Sequence, residues 1–506
     1  MKRSRIRLFV VAPLAVVSTT LLAQTPLVMP TRGHPRPAGD RVRLTDSSIP
    51  IDAPPDPGQG VALVMGGSGV PIPPLDLTQT AAENYLVPMG FGDFAVERLF
   101  TPEGLQTIEG ISKQLPFDTS VAQGVTILET EIKKQIEGGH DVFVGGVSQS
   151  ATINAMVERD IDNGQLDGVN VGDGKLSFLS LGDPSNPNGG ILERFNIPQD
   201  PNPTMPSLGL TFSGAAPADT GIPSTIYTLE YDGFADFPRY PINFLSDLNA
   251  VAGMALVHPL YIQGLLAPGV GLTQAQIADA EPLATTAGYD GGTTYLGIQD
   301  PNELPLAQVI GLLAGRPIGD LLAPDLKVLV NLGYGADPDT GWSTAPANVA
   351  TTAGLFPSID AEQLQTIMAA LENGAKQGWN DFMADLKDPS SIQPDTIDEL
   401  ISGLKDGGAG SGSHSLADIV SGLSGLESTV NGMASSTNDV LNALSTVLPA
   451  TEATIFSNFL QAGDLTDAIG MPAAFYNGLN AVSLGVEAFV LVRNLPAIIS
   501  DLNQIF

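Results

Sequence analysis

Residues 141–154 read DVFVGGVSQSATIN, and the fold turns on what this stretch is. An apolar run with the length and composition of a buried strand stops at two glycines, passes through Ser148, and continues in residues with helical spacing. A strand that turns sharply into a helix around a serine is the form of a nucleophile elbow, G-x-S-x-G, which lifts the hydroxyl above a parallel sheet. Here the pentad is Gly146-Val147-Ser148-Gln149-Ser150, with a serine in the last place. Small residues are needed there because the helix must pack close to the strand it leaves. The plain alternative is an ordinary strand-to-helix corner, since a chain with 56 glycines contains such pentads by chance.

Working outward, Val61 to Met65 form a short apolar strand pattern closed by Gly66-Gly67-Ser68-Gly69. Residues 120–136 have helical spacing, and residues 176–181 and 225–231 have strand patterns that end in Gly182-Asp183 and Asp232-Gly233. Residues 327–332, KVLVNL, read as a further strand. Strands alternating with helices and ending in glycine-bearing loops predict a mainly parallel sheet flanked by helices, with its site at the strands' carboxyl ends. Beyond residue 356 the texture becomes helical, and a flexible run of Gly and Ser at 407–413 interrupts it. The expected layout is a leader at 1–23, a Pro-rich linker at 24–58, a catalytic-type domain at 59–345 and a helical region at 356–506.

Composition narrows the chemistry. The 506 residues are 43% hydrophobic, enough for a large core, and carry a net charge of -33 with only 15% charged residues. Without clustered Lys and Arg the chain is not a nucleic-acid binder. It has no cysteine, which excludes disulfides, thiolate metal sites and a thiol nucleophile. The N-terminus has a basic segment through Arg7 and an apolar run from Leu8 to Ala23, the pattern of a secretory signal or an uncleaved anchor. Export follows from either, and with it a place in or beyond the cell envelope, with membrane association if the anchor is kept.

A serine that attacks a carbonyl needs a histidine base, a carboxylate to orient it, and donors for the oxyanion. The chain has four histidines. His34 lies in the expected linker, His140 precedes the Ser148 strand at its wrong end, and His414 lies in the Gly/Ser run. His258, in VHPLY, follows Ser148 within the strand-and-helix region, in the order Ser, acid, His. The acid is sought in YDGFADFP, residues 231–238. Asp236 is favoured, Asp232 is the alternative because it can serve as a turn former, and Asp183 is a third choice. Gln149, next to the nucleophile, and Ser68, in the glycine loop after the first strand, are the candidates for the oxyanion hole. Val70, Pro71, Ile72, Phe234, Phe237, Leu260 and Tyr261 are the expected apolar lining for an acyl chain.

The set GGSGVPIPP, GVSQSA, YDGFADFPRYP, VHPLY and APDLKVLVNLGYG resembles the PE-PPE domain of mycobacterial proteins, a serine α/β-hydrolase domain similar to cutinases. The resemblance covers residues 61–342. It implies Ser148 as nucleophile, an aspartate of YDGFAD as acid, His258 as base, and Ser68 with Gln149 at the oxyanion, with no cofactor. The family's G-x-S-x-S form accounts for Ser150. The chain departs from the family's usual layout in having an export-signal pattern where a PE or PPE module would stand. The expected activity is hydrolysis of acyl or lipid esters. Acyl transfer to a lipid or sugar hydroxyl is the alternative, and a non-catalytic envelope binding protein is the rival from another class.

Overall fold

A computed structural model describes residues 49, 51–105, 115–166, 174–199, 201–300, 304–387 and 416–505. The leader at 1–23, most of the expected linker, His34 and His414 lie outside the described residues.

Seven strands form one sheet: β1 Val61–Val64, β2 Ala95–Arg98, β3 Val142–Val147, β4 Leu176–Leu181, β5 Ser224–Leu229, β6 Glu281–Pro282 and β7 Thr293–Ile298. Their spatial order is β2-β1-β3-β4-β5-β7-β6, and every pairing is parallel except that of β6 with β7. The central strands are buried on both faces, as a parallel sheet covered by helices requires. The chain steps from β1 to one side and then returns to place β3 on the other. This leaves a crevice between the carboxyl ends of β1 and β3, the usual ligand position in an open α/β sheet.

The covering helices follow from their apolar spacing. In α1, Phe117–Glu137, the buried stripe is Val121, Gly124, Leu128 and Ile132, three or four residues apart. Gly124 is needed because a Cβ there would run into Ile153 of α2, Gln149–Asp162. Helix α2 buries Ile153, Val157 and Ile161 in turn. Further along are α3 Phe244–Leu256, α4 Pro305–Ala314 and α5 Arg316–Asn331. The strand expected at 327–332 is instead the end of α5. A short apolar run does not distinguish strand from helix, and here Val328 and Val330 are buried as part of a sixteen-residue helix that continues through Pro324.

The C-terminal helices are α6 Ala361–Asp385, α7 Leu416–Asn442, α8 Leu448–Ala462 and α9 Leu465–Ile505. Helices α8 and α9 share the core of the sheet: Leu448, Ile455, Met471, Phe475 and Leu479 pack in one cluster with Leu63, Val144 and Phe195. The Phe475 and Phe195 rings meet edge to face at 5.3 Å. Among the described residues no helix is long and apolar enough to cross a membrane.

Candidate active site

Ser148 lies between β3 and α2 with φ 59° and ψ -118°, a left-handed backbone that a side chain rarely adopts. The surroundings hold it there. Its N–H donates to Leu181 O at 2.9 Å, extending the β3–β4 ladder past the strand end. A Cβ on Gly146 would lie 2.7 Å from Ser150 O and 2.8 Å from Asn154 Nδ2, so only glycine lets α2 leave the strand this closely. Ser150, where the commoner pentad has glycine, is buried, and its hydroxyl accepts from Val147 N–H at 2.8 Å. The replacement thus caps a backbone donor that the sharp turn would otherwise strand.

The glycine loop after β1 closes on this corner. A Cβ on Gly67 would lie 3.2 Å from Ser148 Cβ, which puts the loop against the serine across the β1–β3 crevice. Gln149 is fully buried and ties the loop down: its Nε2 donates to Ser68 Oγ at 3.0 Å and to Gly104 O at 3.0 Å. Its Oε1 accepts from Ser120 Oγ at 2.7 Å, and Ser120 Oγ accepts from Gly104 N–H at 2.8 Å. Ser68 Oγ is therefore an acceptor from Gln149, which leaves its own proton available. The backbone N–H of Gln149, in the first turn of α2, has no intrahelical acceptor. Ser120 and Gly104 escaped the sequence reading because nothing local links them to residues 68 or 149.

Beside Gly69, whose N–H donates to Glu103 O at 2.8 Å, the Glu103 side chain is buried with a φ of 49°. Burial pushes its carboxyl up to about 8, opposed by a hydrogen bond from Thr101.

His258 opens a 3-10 turn, His258–Tyr261, after α3. Its Nδ1 faces both oxygens of Asp232, at 2.9 and 2.8 Å, and the Asp232 side chain is fully buried. The expectation favouring Asp236 is corrected by this geometry. Residues 232–236 wind into a helical turn in which Ala235 and Asp236 N–H donate to Asp232 O, and this folds the Asp236 carboxyl inward onto Tyr231 N–H at 3.0 Å. Asp232 also forms the turn, accepting from Phe234 N–H at 3.0 Å, so serving as turn former and as histidine partner are not exclusive. Asp183 is buried in its own turn, accepting from Ser185 N–H at 2.8 Å. Burial raises its carboxyl to about 7.

A third group holds the pair. Tyr261 Oη donates to Asp232 Oδ2 at 3.0 Å and accepts from Leu229 N–H at 2.7 Å. In a 3-10 turn, side chains three apart eclipse, which sends His258 and Tyr261 to the same carboxylate. The spacing H-x-x-Y was the available signal, yet the sequence reading took Tyr261 as pocket lining. Tyr261, Leu260 and Phe237 are buried in the core, whereas Val70, Pro71, Ile72 and Phe234 remain at least partly exposed.

His258 Nε2 is buried and has no hydrogen-bond partner among the described residues. Its ring meets Phe234 edge to face at 4.7 Å. The imidazole and Ser148 share one rim of the sheet through Gly182 at the end of β4. A Cβ there would lie 2.9 Å from His258 Cε1 and 3.0 Å from Asp232 Oδ2, and the preceding Leu181 carbonyl is the one bonded to Ser148. His140 is at the other end of β3, its Nδ1 2.7 Å from Gln59 O. No group of three His, Asp or Glu able to hold a metal occurs among the described residues.

A mainly parallel sheet wrapped in helices, with a strained serine on the turn after a central strand, defines the α/β-hydrolase fold class. The PE-PPE domain model matches residues 93–335, a span containing Ser148, Asp232 and His258. PPE family protein PPE28 of Mycobacterium tuberculosis is 38% identical over 495 residues, covering 92% of this chain and 70% of that protein. Esterase PE16 of the same organism is 42% identical over 301 residues, 59% of this chain and 52% of the esterase. Diacyltrehalose acyltransferase Chp2, also of that organism, is 25% identical over 184 residues, 36% of this chain and 48% of the acyltransferase. The chain belongs to the PE-PPE domain family. It spans about half the length of the esterase and of the acyltransferase it matches.

Proposed function

We propose that this chain is a serine esterase that cleaves neutral acyl esters through an acyl-enzyme on Ser148. The observation that carries the reading is the His258 imidazole, held at Nδ1 by buried Asp232 with Nε2 unpartnered, on the same sheet rim as a serine in elbow conformation. In this reading Ser148 Oγ attacks the ester carbonyl as His258 Nε2 takes its proton. Asp232 accepts the Nδ1 hydrogen, fixes the tautomer and stabilises the imidazolium. The oxyanion receives Gln149 N–H and the Ser68 hydroxyl, whose oxygen is already engaged as acceptor by the Gln149 amide. His258 then returns the proton to the leaving alcohol, and a water deprotonated by Nε2 releases the acid.

The exposed apolar residues Ile72, Leu75, Leu265 and Val270, on the segments after the glycine loop and after His258, suit an acyl chain. Relatives that include an esterase and an acyltransferase support acyl-ester chemistry, and the higher identity to the esterase favours water as acceptor. Export, resting on the pattern of residues 1–23, completes the reading.

The test is labelling with a fluorophosphonate probe together with turnover of p-nitrophenyl esters. Wild type should be labelled and active, while Ser148→Ala should lose both, with turnover falling about 10⁴-fold or more. Labelling that persists in Ser148→Ala removes the assignment. Ester products formed with added alcohols, at the expense of free acid, move the reaction to acyl transfer.

A further inference from the structure

A second cavity lies away from the Ser148 crevice, between the sheet and the segment 340–347. Its volume is about 230 Å³, and neither Ser148, His258 nor Asp232 lines it. Its lining includes Asn186, Thr228, Asp236, Leu283, Trp342 and Ser343. Asn186, Thr228, Asp236 and Ser343 are all more than nine-tenths buried, so their polar groups are paid for by partners or by something in the cavity.

The partners account for only part of them. Asp236 accepts Tyr231 N–H through Oδ2, and no hydrogen bond among the described residues engages Oδ1. Thr228 Oγ1 accepts from Asn186 Nδ2 at 3.3 Å and Ser343 Oγ from Ala345 N–H at 3.3 Å, with no described acceptor for either hydroxyl proton. The Trp342 indole N–H likewise has no described partner. Its ring rests on Gly297 of β7, where a Cβ would come within 2.8 Å of Cη2. The lining thus combines an aromatic ring, three donors with no described acceptor and a carboxyl group with one oxygen unengaged.

We propose that this cavity is a binding site for a small neutral polyhydroxy molecule, of the size of a single sugar ring. An alternating set of donors and an acceptor around an aromatic face matches hydroxyls on a ring whose C–H face is apolar. The other classes fit worse. No Lys, Arg or His lines the cavity to hold an anion. A metal lacks a ligand set, since Asp236 is the only ionisable side chain in the lining. An acyl chain would leave Asp236 and the hydroxyls buried without partners. The volume is below the roughly 300–1,000 Å³ of clefts that take drug-sized ligands, which restricts the occupant to something smaller.

The experiment is saturation-transfer NMR on the full chain with D-glucose and myo-inositol as probes, beside cyclohexanol and glucose 6-phosphate as apolar and anionic comparisons. Either polyol should receive saturation, and both comparison molecules should receive less. Thr228→Val and Ser343→Ala each remove one hydroxyl with little change of volume and should weaken polyol binding by about tenfold. Trp342→Ala should abolish it. Ser148→Ala should bind as wild type does, which separates this site from the esterase reading. The proposal is overturned if neither polyol receives saturation, if glucose 6-phosphate or cyclohexanol is preferred, if Ser148→Ala loses binding, or if folded Thr228→Val, Ser343→Ala and Trp342→Ala all bind unchanged.

Discussion

Two aspartates four residues apart have opposite surroundings, and the proposed mechanism gives them different work. Asp232 faces the imidazole and the Tyr261 hydroxyl, whereas the Asp236 carboxyl is turned onto Tyr231 N–H. Burial raises Asp236 well above the usual carboxylate range, opposed by that N–H and by the Arg194 guanidinium. Asp232→Asn should therefore lower kcat by about 10⁴-fold, because an amide leaves the imidazole in the wrong tautomer. Asp236→Asn should cost less than about tenfold, since it touches neither nitrogen of His258. Parallel measurement of ester turnover in the two variants checks this, and the reverse ranking would return the acid to Asp236. At this scale the turn at Ser148 was legible from its pentad, and His258 was a candidate from its place after that turn. The choice between aspartates was not, because it depends on a turn in which one carboxylate has two uses.

The elements meet at glycines, and two carry the site. Gly182, with φ 59°, lies under the His258–Asp232 pair, where a Cβ would also come 2.6 Å from Tyr261 Cε2. Gly182→Ala should displace the imidazole and lower kcat more than a hundredfold by misplacing the base. Its circular dichroism spectrum should stay close to wild type, and retained kcat would show that the pair tolerates the shift. Gly146 plays the matching part under Ser148. Helix α2 adds a pH effect through Glu158, buried and accepting from Ser224 Oγ at 3.1 Å. Burial raises its carboxyl from 4.5 to about 8. Because the folded value is the higher one, the stability it contributes is complete below about pH 4.5 and is lost as pH rises through 8. The slope is at most about 1.4 kcal/mol per pH unit. Glu158→Gln should flatten the decline of Tm across this window, with Glu103, raised to about 8 by burial, sustaining part of it. An unchanged Tm profile in Glu158→Gln would place the pH dependence elsewhere.

At the scale of the molecule, helices α8 and α9 are structural members of the core beneath the sheet. Helix α9 brings Gly478 onto Phe195, where a Cβ would lie 2.6 Å from the ring, and Phe475 meets the same ring edge to face. Phe195 in turn packs against Phe237, at 5.1 Å, just beyond the loop that holds Asp232 and Asp236. Phe475→Ala should destabilise the whole chain by about 3–5 kcal/mol, seen as one lowered thermal transition. A separate early transition with the rest of the profile intact would instead mean that α9 melts by itself. The sequence showed helices here but not where they pack, since apolar spacing identifies a buried face without identifying what covers it.

The elbow was readable from the amino-acid order alone because its cause is short-range: glycine, serine and a small residue decide how tightly a strand can turn into a helix. The candidate base could be picked out because the chain has four histidines, of which His34 and His140 precede Ser148 and His414 falls in the Gly/Ser run. Parallel strands were readable from alternation with helices, but not β2 or β7, whose short mixed patterns carry little signal. Only the tertiary structure decided which carboxylate meets His258 across 26 residues, that residues 327–332 complete a helix, and that Tyr261 and Ser120 brace the site. These outcomes depend on contacts between distant segments, where burial and hydrogen-bond satisfaction of the whole core override local preference.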